Sequence, residues 1–156
     1  MLSEKRFTNE VFFSIAKTFP FGMEKLDQEI LIRDPVSVEE NTLVCVGQIP
    51  ENTLLYIMRG EPKALIEASG IAANIVTDHL SDDAENIECV LFDCISRALF
   101  LEDKFEEELD SILKNLPKNS TLIGALTLGE IVSSTWGPIQ FLNKTTVACR
   151  FGEEKK

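Results

Sequence analysis

The chain of 156 residues is long enough for one domain with its own core and too short for two large ones. With 44% apolar and 26% charged residues and no low-complexity tract or repeat, it reads as globular rather than disordered. A net charge of −11, with no basic stripe to offset it, sets nucleic acids and anionic membrane surfaces aside as partners.

The N-terminal stretch places Phe7, Val11, Phe12 and Ile15 at helical spacing, which predicts a short amphipathic helix over 3–17. It lacks the apolar stretch and cleavage signature of a signal peptide, and no transmembrane span follows, so a cytoplasmic location is expected. In that setting the Asn-x-Ser/Thr matches at Asn119 and Asn143 carry no meaning as glycosylation sites. Pro20 and Gly22 end the helix. Residues 29–33, 42–47 and 54–59 are β-rich runs between turn-forming stretches, the first two close enough to pair antiparallel.

Pro62 suits a first helical turn and opens a helix to about Leu80. Leu65, Ala68, Ala72, Ile75 and Val76 form its expected inner face, and close packing is expected to offset the mid-helix Gly70. Residues 88–94 and 122–128 are continuously apolar enough to predict central strands covered on both faces. Between them, Asp103 and Glu106 resemble a capping pair ahead of an apolar face of Phe105, Leu109, Ile112, Leu113 and Leu116, with Pro117 as the stop. A last strand is expected over 145–151. The fold class predicted is α+β: a single domain with a mixed sheet of about six strands and helices packed on it. Its parts are an N-terminal helix (1–19), the domain proper (20–151) and a charged tail (152–156).

Helical crossovers before and after the 88–94 strand predict parallel neighbours, whose C-terminal ends then share one edge of the sheet. Ligands of open α/β sheets collect at such an edge. The candidates brought there are Arg59, Cys94, Arg97, Gly129 and Glu130. Two guanidinium groups could take a carboxylate and Glu130 could accept from an ammonium, which suits a zwitterion such as an amino acid. The arginines are equally compatible with pairing to Glu61, Glu102 or Glu130. Trp136 reads either as an aromatic lid or as packing over the sheet end, and His79 as a helix-end charge. With a single histidine, a His-based triad is excluded. Cys45, Cys89, Cys94 and Cys149 form no CxxC pair and read as buried thiols, so neither metal nor cofactor is expected. An enzyme using Cys94 as nucleophile is the minor alternative to a non-catalytic domain.

Several stretches together resemble the C-terminal domain of the FIST family, the F-box and intracellular signal transduction proteins. They are Phe92-x-Cys94-x-x-Arg97, Glu108-Leu109, Gly124 with Gly129-Glu130, and Asn143-x-Thr145, with Arg33-x-Pro35 and Met58-Arg59-Gly60 upstream. The resemblance covers about 20–151. It implies an intracellular sensory domain for signal transduction that binds a small ligand such as an amino acid. Two positions depart from the pattern: Asp93, where a small residue such as Ser is expected, and Leu142, where a polar residue or His precedes the Asn. The family pairs this domain with a FIST N-terminal domain, absent from these residues. An apolar surface is therefore expected, meeting that domain, a signalling partner or a second copy in a homo-oligomer.

Overall fold

In the computed structural model, which describes residues 8–25, 29–78, 86–133 and 137–151, the chain divides at Gly60–Glu61 into two compact units. Both mix helix and strand, so the α+β class holds. The described strands number nine and lie in three sheets rather than in one sheet of about six. No helix among the described residues is long and apolar enough to cross a membrane.

The first unit opens with helix α1 (Asn9–Ala16), whose first turn is capped by the Thr8 hydroxyl accepting from the Val11 amide. It buries Phe12 and Ala16. Four strands follow: β1 (Phe21–Glu24), β2 (Ile30–Glu39), β3 (Thr42–Val46) and β4 (Leu55–Ile57). They form an antiparallel sheet in the order β3-β2-β1-β4. The β2–β3 pairing predicted from the short connection is present. β2 runs longer than its apolar stretch suggests, because a register shift between Pro35 and Ser37 lets it continue past a proline that cannot donate to the ladder. β1 occupies the residues expected only to break a helix.

The second unit starts with α2 (Pro62–Thr77), which has its proline in the first turn as expected. β5 (Glu88–Cys94) runs directly into α3 (Ile95–Leu101). A single 3-10 turn (Glu102–Lys104) then leads into α4 (Phe105–Lys114), followed by β6 (Thr121–Thr127). β5 and β6 pair in parallel through that crossover, as the spacing predicts. β9 (Thr146–Phe151) pairs antiparallel on the other side of β5, giving the order β6-β5-β9. A separate hairpin of β7 (Glu130–Ser133) and β8 (Ile139–Leu142) lies between β6 and β9, where no strand is predicted from sequence. Ala73, Ile87, Cys89, Leu91, Ile112 and Leu116 form the core, between one face of β5 and helices α2 and α4.

Three expectations are corrected here. β4 belongs to the first unit's sheet and does not pair with β5, so the helix after it is not a crossover between parallel neighbours. β5 is central in pairing but alternates in burial, with Phe92 on its uncovered face, and β6 is an outer strand with Ile123 well exposed. The apolar runs there reflect a sheet with one bare face, not one covered twice. The inner face of α2 is rotated from the predicted one: Ser69, Gly70 and Ala73 are buried, while Ile75 is exposed. Hydrophobicity alone misplaces that face because a hydroxyl and a bare backbone are what the partner helix requires.

Gly70 sets the α2–α4 approach: a Cβ there would lie 2.5 Å from the Ser111 hydroxyl oxygen and 2.9 Å from Nδ2 of Asn115. A mid-helix glycine otherwise costs about 1 kcal/mol against alanine. Gly70→Ala alone is therefore expected to destabilise the protein in urea titrations. In a Ser111→Ala background the same change should be neutral or stabilising by up to about 1 kcal/mol. Equal effects in both backgrounds would show that this contact is not what requires the glycine.

Candidate functional site

Four of the five residues singled out from sequence lie in the second unit, where β5 ends. Cys94 is the last residue of β5, and α3 begins immediately after it, which carries Arg97 one turn further on. Glu130 opens β7, opposite Leu142 of β8. Arg59 lies in the first unit, exposed, just after β4. Trp136 and His79 lie outside the described residues.

Arg97 is buried, and its donors are taken by the protein. Nε donates to Oε1 of Glu108 at 3.0 Å, and Nη1 to the Lys144 carbonyl at 3.2 Å. Nη2 reaches the Leu65 carbonyl at 3.0 Å, the Ser69 hydroxyl at 2.7 Å and Glu108 itself. The Ser69 hydroxyl in turn meets Oε1 of Glu108. Glu108, fully buried, is thus the principal partner of Arg97, not the Glu61, Glu102 or Glu130 considered from sequence. Asp93 is a weaker second partner, with Oδ1 3.4 Å from Nε. Helices α2, α3 and α4 and the segment before β9 all meet on this one guanidinium.

Glu130 is buried too, and it accepts from the Thr127 hydroxyl at 2.6 Å and from the Thr145 hydroxyl. Both of these donors are neutral hydroxyls. Gly129 sits before it at φ +146°, where side-chain-bearing residues are strained, and a Cβ there would run into the Phe141 ring. The glycine serves the tight β6–β7 turn. Arg97 and Glu130 are linked through three consecutive residues: the Lys144 carbonyl takes Arg97, Thr145 donates to Glu130, and Thr146 donates to Asp93 at 2.8 Å.

Cys94 is buried, with its Sγ 3.1 Å from the Ser96 hydroxyl and its amide bonded to the Thr145 carbonyl. All four cysteines are free. Cys89 shares the burial of Cys94, whereas Cys149 is exposed, against the expectation of four buried thiols. No group of three or more histidine, cysteine or acidic residues placed to hold a metal occurs among the described residues.

Asp93, Glu108 and Ser69, which the fold puts at the centre, stand out little in the sequence. Asp93 entered only as a departure from a family pattern and Glu108 only as part of one. One signal was available for Glu108: it stands three positions after Phe105 and four before Ile112, on the inward stripe of α4. Asp93 is 2% exposed and shares the helix-facing side of β5 with Leu91. Its Oδ1 is bonded, and its Oδ2 has no hydrogen-bond partner. Burial, with Glu108 and then Glu130 adding repulsion, pushes its pKa up to about 6 against the opposing pull of Thr146 and Arg97. Asn143, also buried, has neither amide atom partnered.

Asp93 lines an open cleft of about 370 Å³ formed by α4, β5 and β6. The remaining lining is apolar, from Leu91, Phe105, Leu109, Leu113, Leu122 and Leu126 along with Gly124 and Ala125. A concave apolar surface with one polar side chain among its lining residues is the usual form of a small-molecule site.

The raised acid has a measurable consequence. In the folded state Asp93 keeps its proton up to about pH 6, whereas the unfolded chain releases it near 3.8. The folded state binds more protons in between, so stability falls as pH rises through that window. The loss attributable to Asp93 is on the order of 3 kcal/mol. Urea titrations from pH 3.5 to 7 should show Asp93→Asn gaining on the wild type across this window, and a constant difference between the two would contradict the assignment.

Comparison with known proteins gave one family. The family model of the FIST C domain matches residues 3–133, which take in α1 through β7 and leave Asn143 and Thr145 beyond its end. No curated protein and no solved structure matches the chain. A match over most of the sequence places it: the chain belongs to the FIST C domain family.

Proposed function

We propose that this chain is a non-catalytic sensory domain of an intracellular signalling system, and that it binds a small molecule in the cleft between α4 and β6. The observation that carries this reading is Asp93, a lone acid with one unpartnered carboxylate oxygen, among the residues lining an otherwise apolar cleft. Membership of the FIST C domain family supports the signalling role. Arg97, Glu130 and Gly129 then act as the frame that holds Asp93 and the strand ends in place. Arg59 and Cys94 stay outside the cleft lining. Of the amino acid expected from sequence, the ammonium is the part this lining suits, placed on Asp93 with an apolar group among the leucines.

A pooled metabolite screen by thermal shift, run on wild type and on Leu113→Trp, tests the reading. Leu113 is half exposed on the wall of the cleft, so the larger ring obstructs it without disturbing the core. A ligand at 100 times its dissociation constant should stabilise the wild type by about 2.7 kcal/mol. Leu113→Trp should lose most of that gain. No stabilising compound, or one that stabilises both proteins alike, would overturn the cleft as the binding site.

A second reading has an observation of its own. Phe92, Ile123 and Phe151 are exposed on one face of the β6-β5-β9 sheet, with Cys149 on the same side. Such a face suits a protein partner, whether a FIST N-terminal domain, a signalling protein or a second copy of the chain. Self-association would appear in light scattering as a mass that rises with concentration and returns to that of one chain in Ile123→Glu. A constant mass of one chain would remove the second copy as the occupant.

A further inference from the structure

Resting on the reading of the α4–β6 cleft as a small-ligand site, the charge around it selects among ligand classes. Its described lining contains one ionisable side chain, Asp93, and no lysine, arginine or histidine. The groups that face Asp93 are Arg97 from α3, Glu108 from α4 and Glu130 from β7, three acids in all around one base. That base is committed: turning Arg97 toward a ligand would strip buried Glu108 of its partner. An incoming anion therefore meets repulsion and has no cation in the lining to receive it. A cation finds one acid in the lining, Asp93, whose Oδ2 is buried with nothing bonded to it, so a turn of that side chain accompanies binding.

We propose that the cleft takes a small monocationic amine with an apolar body, its ammonium on Oδ2 of Asp93 and its tail against Leu109, Leu113 and Leu122, and that it discriminates against the amino-acid zwitterion. An ammonium–carboxylate hydrogen bond is charge-assisted and stronger than a neutral one. Binding also relieves an acid that burial and its two acidic neighbours disfavour in the charged form. The carboxylate of an amino acid would bring a fourth negative group to the same place.

Calorimetric titration of the full chain tests this with four probes of equal carbon number: hexylamine, 1-hexanol, hexanoate and norleucine. At pH 7.5 and low salt, hexylamine should bind about tenfold or more tighter than hexanol and norleucine, with hexanoate weakest. Asp93→Asn should bring hexylamine down to the level of hexanol, and Leu113→Trp should weaken every probe that binds. Hexylamine stays cationic throughout, so its affinity should rise from pH 5 to pH 7 as Asp93 ionises, a slope that Asp93→Asn abolishes. Norleucine or hexanol binding as tightly as hexylamine, or an amine preference that survives Asp93→Asn, overturns the inference while leaving a ligand cleft in place. Failure of all four probes to bind the folded wild type overturns the amine and the cleft together.

Discussion

The second unit is organised around the ion pair of Arg97 and Glu108. Burying two charges costs several kcal/mol per ion before any interaction is counted. Here that penalty is offset by hydrogen bonds drawn from four separate segments: the Leu65 carbonyl and Ser69 of α2, Arg97 of α3, Glu108 of α4 and the Lys144 carbonyl before β9. α3 makes fewer than two full turns, and bonds shared on one guanidinium tie it to the other three segments. The pair also explains the state of Asp93. Because the guanidinium gives its best hydrogen bonds to Glu108, Asp93 receives only a long contact and one threonine hydroxyl.

Much of this architecture was legible in the residues. The apolar runs at 88–94 and 122–128 predict two strands joined by a helix, and their parallel pairing follows from the length of the connection. α4 was legible because its leucines keep one face, and α2 because Pro62 marks its start. What stayed hidden depended on contacts far apart in the chain. β7 and β8 are four residues each and have too few alternations to stand out from a loop. β4 was joined to the wrong sheet because a helix after a strand reads as a crossover, whether or not the next strand lies beside it.

The candidate site was legible by location more than by role. Cys94, Arg97, Gly129 and Glu130 do gather at the end of β5, since a strand-to-helix junction and a strand-to-hairpin junction meet there. Sequence favoured the arginine and the outer glutamate as the ligand's partners, because exposed charge looks available. Both side chains are buried. Arg97 and Glu130 are saturated by neighbours that no spacing rule connects, with Ser69 lying 28 positions and Glu108 11 positions from Arg97. Among the acids lining the cleft, the atom left wanting a partner belongs to Asp93, the residue that first drew notice as a misfit in a family pattern.

β6 carries one more implication. Thr121–Thr127 is the outermost described strand on its side of the sheet and contains no charged residue and no proline. Those are two of the devices by which border strands turn away stray chains, so one rim of backbone amides is left chemically adhesive. Protection falls to the net charge of −11 spread over the molecule, which makes two copies repel before their rims can touch. Such a shield is only as long as the ionic atmosphere allows: added electrolyte shortens it to a few ångströms, and colloidal behaviour follows the salt rather than the fold.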